Sequence, residues 1–577
     1  MKTQIAFIKR LVAVVVCLLT LITATISFPA MALPSDADKM NDLLSTSYNV
    51  TKYTSPVWEG NIVYNEAVFP IKSADGAAEY TLMYEPDRVL SVYDATFSKR
   101  YTAGRDYTVS GNKITFLENG SISLRDYTFV HPQSNPENYG ADKYFPRLAA
   151  GDGKWEYWGE NADFYAGYIN VTYTHADSWS GYKPANQASG LPITSDCILN
   201  NKAMNVVFFG DSITVGANSS GFYNIYPYAA TWTDQLVAKL KQDYGCTNIS
   251  SHKSAVGGST SGQMLEKLEE SVVAYSPDLV FIGFGMNDIL VGASSSPESV
   301  ASQYKSNIEA MITKTRTDFP DCEFVLVSPI YANTYVFRTE YFDACRDALK
   351  ELAEKYEGVV CADVTSMHSY LLSFKDYLDL SGNNMCHPND FMARIYAQVC
   401  LETIVPGGLK PYVPSGLPPY VMGVSPALAQ ITDTGSADFT VEAAAYGEIS
   451  YSWMCSDSRI ILEQSDAKTV HASVGTQLEE SFTATLVCTL TDAKGLQTTS
   501  ETVTLEYIST YTPTLPGDVN GDGRVNVSDV NMLKRAIVGA VEVTDRKSLD
   551  VNSDGRFNVS DINALLRILV GAYPTRN

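Results

Sequence analysis

Val206-Val207-Phe208-Phe209-Gly210-Asp211-Ser212-Ile213-Thr214 is the stretch on which the reading of this chain turns. Four apolar residues in a row leave no face for solvent, so the run reads as a strand buried on both sides. Such strands belong to parallel sheets covered by helices. The rhythm repeats at Leu279–Gly285, Phe324–Ser328 and Val359–Val364, with amphipathic stretches at Trp232–Asp243 and Tyr341–Tyr356 between the runs. Residues 203–404 are therefore expected to form a three-layer α/β domain with a parallel sheet. Ser212 then lies at the carboxyl end of a strand, where such sheets place their ligands.

A hydroxyl nucleophile needs a base within hydrogen-bond reach and donors where the oxyanion forms. Three later segments supply those groups. Gly257-Gly258-Ser259-Thr260 is a turn able to bring a backbone N–H close to substrate, and Gly285-Met286-Asn287-Asp288 ends another buried strand with a side-chain amide. His387-Pro388-Asn389 precedes the last helix of the domain. In this order the blocks resemble the SGNH (GDSL-type) hydrolases over residues 203–404. The resemblance implies Ser212 as nucleophile and His387 as general base and then acid. It implies Gly258 N–H and Asn287 as oxyanion donors beside the Ser212 N–H. The family carries Asp three residues before this His, where the chain has Asn384. His387 is then supported by Asn384, by a backbone carbonyl or by Asp390, or catalysis is lost. His252 is a second choice of base. Cys386 is expected to pack rather than react. Aromatic clusters at Phe222–Tyr228 and at Trp155, Tyr157 and Trp158 are sugar-binding candidates, with packing as the alternative.

Outward from this domain, residues 40–200 alternate apolar and polar side chains, as in Val89–Tyr93 and Tyr168–Thr174, and predict a β-sandwich. Five prolines between 405 and 420 mark a linker. Residues 421–508 predict a second β module, Ig-like by the placing of Trp453 and Cys488. At the end, Asp518-Val519-Asn520-Gly521-Asp522-Gly523-Arg524-Val525-Asn526-Val527-Ser528-Asp529 recurs 32 residues on as Asp550-Val551-Asn552-Ser553-Asp554-Gly555-Arg556-Phe557-Asn558-Val559-Ser560-Asp561. Oxygen side chains at positions one, three, five, nine and twelve, with Gly at six, suit a hard cation that takes six to eight oxygens. Asp rather than Glu at position twelve, and the tandem spacing, resemble a type I dockerin over residues 515–577. That resemblance implies structural Ca2+ on Asp518, Asn520, Asp522, Asn526 and Asp529, and on Asp550, Asn552, Asp554, Asn558 and Asp561. It also implies a cohesin of a cellulosome scaffold as partner. Val527-Ser528 and Val559-Ser560 stand where the family faces cohesin, in place of its Ser-Thr pair.

Composition sets the wider bounds. The 577 residues suggest roughly three or four domains, and 42 Lys and Arg against 65 Asp and Glu give a net charge of −23. So acidic a surface repels phosphate backbones and anionic lipid, which speaks against nucleic-acid and membrane partners. Lys2, Lys9 and Arg10 before an apolar run and Ala30-Met31-Ala32 read as a signal peptide over residues 1–32, an uncleaved anchor being the alternative. Its removal leaves 39 basic and 65 acidic residues, a net −26, on a secreted chain. Nine scattered cysteines remain outside it, with Cys455 and Cys488 the one pairing worth considering. A β-sandwich before an SGNH domain resembles carbohydrate esterases of family two. The expectation is thus a secreted, extracellular, cellulosome-attached esterase that removes O-acetyl groups from xylan or a related plant polysaccharide, with no metal in the chemistry. A feruloyl or other acyl esterase, and a non-catalytic glycan-binding protein, are the alternatives.

Overall fold

A computed structural model describes residues 46–134, 144–414, 417–510, 515–543 and 548–572. The expected signal peptide and parts of both linkers lie outside them. Among the described residues no helix is long and apolar enough to cross a membrane. Contacts divide the chain into two units, the first running to residue 422 with two short turns at 444–448 and 492–496.

In the first unit, five parallel strands form the sheet: β1 Met204–Gly210, β2 Ile249–Ala255, β3 Leu279–Gly283, β4 Glu323–Val327 and β5 Val359–Ala362. Their order is β2-β1-β3-β4-β5. The direction of winding therefore reverses between β1 and β3, and the crevice outside their carboxyl ends is where a doubly wound sheet binds ligands. Phe208, Phe281 and Leu326 are buried along the sheet, as uninterrupted apolar strands require. Three helices matter for the site: α1 Ser212–Val215 after β1, α2 Met286–Gly292 after β3, and α3 Asp390–Ile404 after the His387 segment.

The N-terminal β region is smaller and less independent than the sequence suggests. It forms two three-stranded antiparallel sheets, with strand orders 62–68/169–174/88–94 and 79–81/113–116/107–110, and a hairpin of 144–146 with 155–157. Phe69, Phe164 and Tyr173 join one continuous core with Phe208, Phe281 and Leu326. A buried ion pair crosses the same boundary, Lys375 Nζ to Glu66 Oε1 at 2.7 Å, with both side chains fully covered. The helix Pro192–Asn200 belongs with the α/β layers rather than before them. Its first backbone N–H groups, from Ile193 and Thr194, donate to the Glu323 carboxylate at 2.9 and 2.8 Å.

The second unit holds the β module and the C-terminal repeat. The module has two facing strand sets, 420–425/436–444/469–474/460–463 and 428–432/503–508/482–491/450–455. Trp453 and Cys488 are buried partners across its antiparallel pair. The pairing of Cys455 with Cys488 is not found: the register sets Cys455 opposite Leu486, and both thiols are free. In the repeat, helices α4 Val527–Ile537 and α5 Val559–Leu569 pack on one small core. Residues 32 apart play equivalent parts in it, Val519 with Val551, Val530 with Ile562 and Leu533 with Leu565.

Gly210 is fixed by crowding at the end of β1. A Cβ there would stand 2.1 Å from Thr214 Oγ1 and 2.6 Å from the Gly283 carbonyl oxygen. The strands can run side by side at this point only without side chains. Gly210→Ala is expected to destabilise the first unit by about 1–3 kcal/mol, measured as a lower midpoint in urea.

Candidate active site

Ser212 opens α1 directly after the glycine that ends β1. Asp211 caps the helix, its Oδ1 accepting the Ile213 N–H at 3.0 Å. This turn fixes the Ser212 side chain and leaves its own N–H among the free donors of a helix start. Ser212 Oγ lies 2.8 Å from His387 Nε2. Both residues are buried, yet both line one cleft. Burial lowers the pKa of His387 to about 4, so the ring is neutral and able to take the serine proton across the neutral range.

The other ring nitrogen decides the tautomer. His387 Nδ1 contacts Asn218 Oδ1, while Asn218 Nδ2 donates to the Tyr223 hydroxyl. The amide therefore presents its oxygen, a contact that favours the proton on Nδ1, while the Asn383 Nδ2 lies 3.1 Å from the same nitrogen. Asn218 has φ 66°, a left-handed backbone that Asn tolerates better than most residues. Its approach depends on Gly382, where a Cβ would sit 2.8 Å from the Asn218 Cβ. Glu160 adds a charge: its Oε1 is 3.6 Å from Nδ1, and desolvation raises its pKa to about 7.

Asn384 and Asp390, the two expected supports for His387, both point elsewhere. Asn384 sits at the tip of a turn with φ 59°, and its Nδ2 donates to the Tyr157 carbonyl at 2.9 Å. In a tight turn a residue three places upstream does not face the imidazole. Its neighbour Asn383 is the one that braces the loop, with Oδ1 accepting the N–H groups of Met385, Cys386 and His387 at 2.9, 2.9 and 3.1 Å. Asp390 accepts from Ser220 N at 2.8 Å and from the Tyr165 hydroxyl at 2.9 Å.

On the opposite side, Asn287 lines the same cleft as Ser212 and its Nδ2 donates to the Ser259 carbonyl at 3.1 Å. That bond uses one amide hydrogen and leaves the other for a substrate. Gly258, with φ 76°, precedes Ser259 in the turn after β2. Asp288 holds the start of the following helix through both oxygens to the Ser261 N–H, each at 3.1 Å. The remaining histidines are committed elsewhere. His252 stacks on Tyr275 with ring centroids 3.5 Å apart, and buried His368 accepts the Tyr331 N–H. Of the aromatic candidates, Trp158 lines the cleft, whereas residues 222–228 do not and Tyr223 braces Asn218.

In each C-terminal loop the first and twelfth residues organise the backbone. Asp518 accepts the N–H groups of Gly521, Asp522 and Gly523, and Asp529 accepts those of Asn520 and Asn526. Asp550 and Asp561 repeat the pattern on Asp554, Gly555, Asn552 and Asn558. Asn526 and Asn558 cap their helices. Asp529 and Asp561 are fully buried, and no cationic side chain among the described residues pairs with them. A buried carboxylate without a counter-charge is costly, so this donor set fits a bound cation. No three His, Cys, Asp or Glu side chains among the described residues converge as a metal cluster. Each loop would therefore need its Asn and main-chain oxygens as well.

Residues 208–395 match the family model of GDSL-like lipases and acylhydrolases, and residues 516–570 match that of type I dockerin domains. Among curated proteins, an uncharacterized lipoprotein of Bacillus subtilis, YqeF, is 28% identical over 111 residues, 19% of this chain and 43% of that protein. The match thus spans less than half of the relative's length. Among solved structures, a catalytic mutant of an acetylxylan esterase from Geobacillus stearothermophilus is 19% identical, covering 35% of this chain and 97% of that one with a TM-score of 0.30. An alpha/beta hydrolase from the metagenome of Lake Arreo, Spain, is 18% identical over 35% and 95%, with a TM-score of 0.29.

The charge of Glu160 is expected to show in the pH profile. Above about pH 7 the carboxylate is ionised and would face the imidazolium formed if His387 takes the serine proton; below it the group is neutral. The kcat/KM of the parent should therefore rise between about pH 6 and 8. Glu160→Gln should flatten that rise and lower the rate at pH 8 by about tenfold, a magnitude discounted for partial solvent screening. Equal loss at both pH values would reduce Glu160 to a structural role.

Proposed function

We propose that this chain, which joins a GDSL-like acylhydrolase domain to a type I dockerin domain, is an extracellular carbohydrate esterase held on a cellulosome scaffold by a cohesin. The observation that carries the reading is the contact of Ser212 Oγ with Nε2 of the neutral His387 ring in the lining of a cleft. As His387 takes its proton, Ser212 Oγ bonds to the acyl carbon. The oxyanion is met by the N–H groups of Ser212 and Gly258 and by the Asn287 amide. The bond to the sugar oxygen breaks, and His387 Nε2 returns the proton to that oxygen. Water, activated by the same nitrogen, then attacks the acyl-enzyme and releases the carboxylic acid. No step passes through a metal. Bound Ca2+ would order the two dockerin loops, held by the aspartates and asparagines at positions one, three, five, nine and twelve.

Acyl decorations of xylan or a related plant polysaccharide are the proposed substrate, O-acetyl being the simplest. Ser212→Ala and His387→Ala should each lower kcat by at least about 10³-fold on any ester the parent cleaves, with unchanged far-UV circular dichroism. A parent inert towards every simple ester, or a Ser212→Ala variant that retains full rate, would favour a glycan-binding role. Chelation of Ca2+ should abolish cohesin capture and lower the helical signal of the repeat while leaving ester hydrolysis unchanged. Loss of hydrolysis with the metal would contradict the separation of the two parts.

A further inference from the structure

The cleft beside Ser212 is large for an acetyl group and has the wrong lining for a sugar. Its volume is about 220 Å3, where about 10–15 Å3 suffices for one water. An acetyl group is comparable to about two waters and would leave most of this space unfilled. The lining is apolar and aromatic: Phe145 and Trp158 on one side, and Leu290, Val336, Phe337 and Tyr341 among the rest. Of the polar lining residues, Ser212, His387, Asn287, Asn383 and Glu160 belong to the reaction centre or brace it; this leaves Arg338, the Cys386 thiol and a Tyr341 hydroxyl that already donates to the Ser295 carbonyl. A leaving saccharide would lose hydrogen bonds to water here and regain almost none, a cost of several kcal/mol. The cleft therefore receives the acyl side of the ester.

We propose that the preferred acyl group is a flat aromatic one of the hydroxycinnamoyl type, and that the cleft is its binding site. The proposal rests on the esterase reading above and deepens it. Three features choose an aromatic group over an aliphatic chain. Phe145 and Trp158 form a tilted pair with centroids 5.5 Å apart, a wall that offers both face and edge to a third ring. Tyr341 adds a further ring to the lining, with the Arg338 guanidinium, itself paired with Glu340, 6.0 Å from its centroid. The guanidinium can donate an N–H to a ring hydroxyl or methoxy oxygen, a bond that an alkyl terminus cannot make. Phe145 and Trp158 pack in one cluster with Val336 and Phe337, so the segments 145–158 and 336–341, far apart in the chain, build the aromatic lining together.

The test compares kcat/KM of the full-length secreted protein on matched methyl esters of acetic, octanoic and 4-hydroxy-3-methoxycinnamic acids. The aromatic ester should exceed both others by at least about tenfold. A Leu290→Trp variant, which fills the cleft, should lower the ratio of aromatic to acetyl turnover by a similar factor. The parent's own selectivity decides the question if that variant fails to fold. Faster acetyl turnover overturns the acyl assignment and leaves the esterase reading standing. Preference for octanoate overturns the aromatic assignment in favour of an aliphatic acyl group. No turnover of any of the three, with binding of free cinnamate to the Ser212→Ala protein also absent, overturns both readings.

Discussion

The site depends on keeping one imidazole dry and neutral while holding it by both nitrogens. His387 is 3% exposed, and desolvation alone depresses its pKa. A buried ring that must be uncharged at rest needs neutral partners, and Asn218 provides one. The surrounding backbone is built to allow that contact. The segment 381–388 folds back on itself, with Gly382 N–H donating to the His387 carbonyl at 2.7 Å and Asn383 gathering three successive N–H groups. Gly382 lacks a side chain at the point where Asn218 passes.

The same constraint accounts for the N-terminal β region. The strand at 155–157 and the turn after it press on the His387 loop: Gly159 N–H donates to the Asn383 carbonyl, and Asn384 donates to Tyr157. Beneath them lies buried Glu156, paired with His131 at 2.7 Å and with Arg147 at 3.2 Å. These contacts exclude water from the outer side of His387. The small sheets are thus a wall of the active site as much as a domain.

What the sequence made legible follows from how local each signal is. Ser212, Asn287 and His387 stand at the ends of strands or before a helix, and apolar periodicity places those points without any long-range knowledge. The C-terminal loops are more local still, since twelve consecutive residues contain their own donor set and the repeat supplies a second copy. Asn384 was the natural expectation for the imidazole partner because spacing is all a sequence offers there, but a tight turn rotated it towards Tyr157. Asn218 carries a faint signal as an Asn after Gly216-Ala217, where left-handed backbone is common. Glu160 carries none: it lies 227 positions before His387, and its contact exists only because the two regions share one core.

In the proposed reaction Asn218 and Glu160 together would do the work that a single aspartate does in a serine triad, and dividing it has a physical consequence. Orientation comes from the Asn218 amide, which is uncharged and does not titrate. Charge comes from a carboxylate whose burial keeps it protonated until about pH 7. An aspartate in direct contact with Nδ1 would bring both at once and would raise the resting pKa of the histidine. Here the resting base stays neutral, and extra stabilisation of the imidazolium arrives only as Glu160 ionises. Glu160 also lines the cleft beside Ser212. A bulky substrate that displaces water from around that carboxylate would push its pKa higher still, so occupancy of the cleft and the charge behind the base are coupled through one side chain.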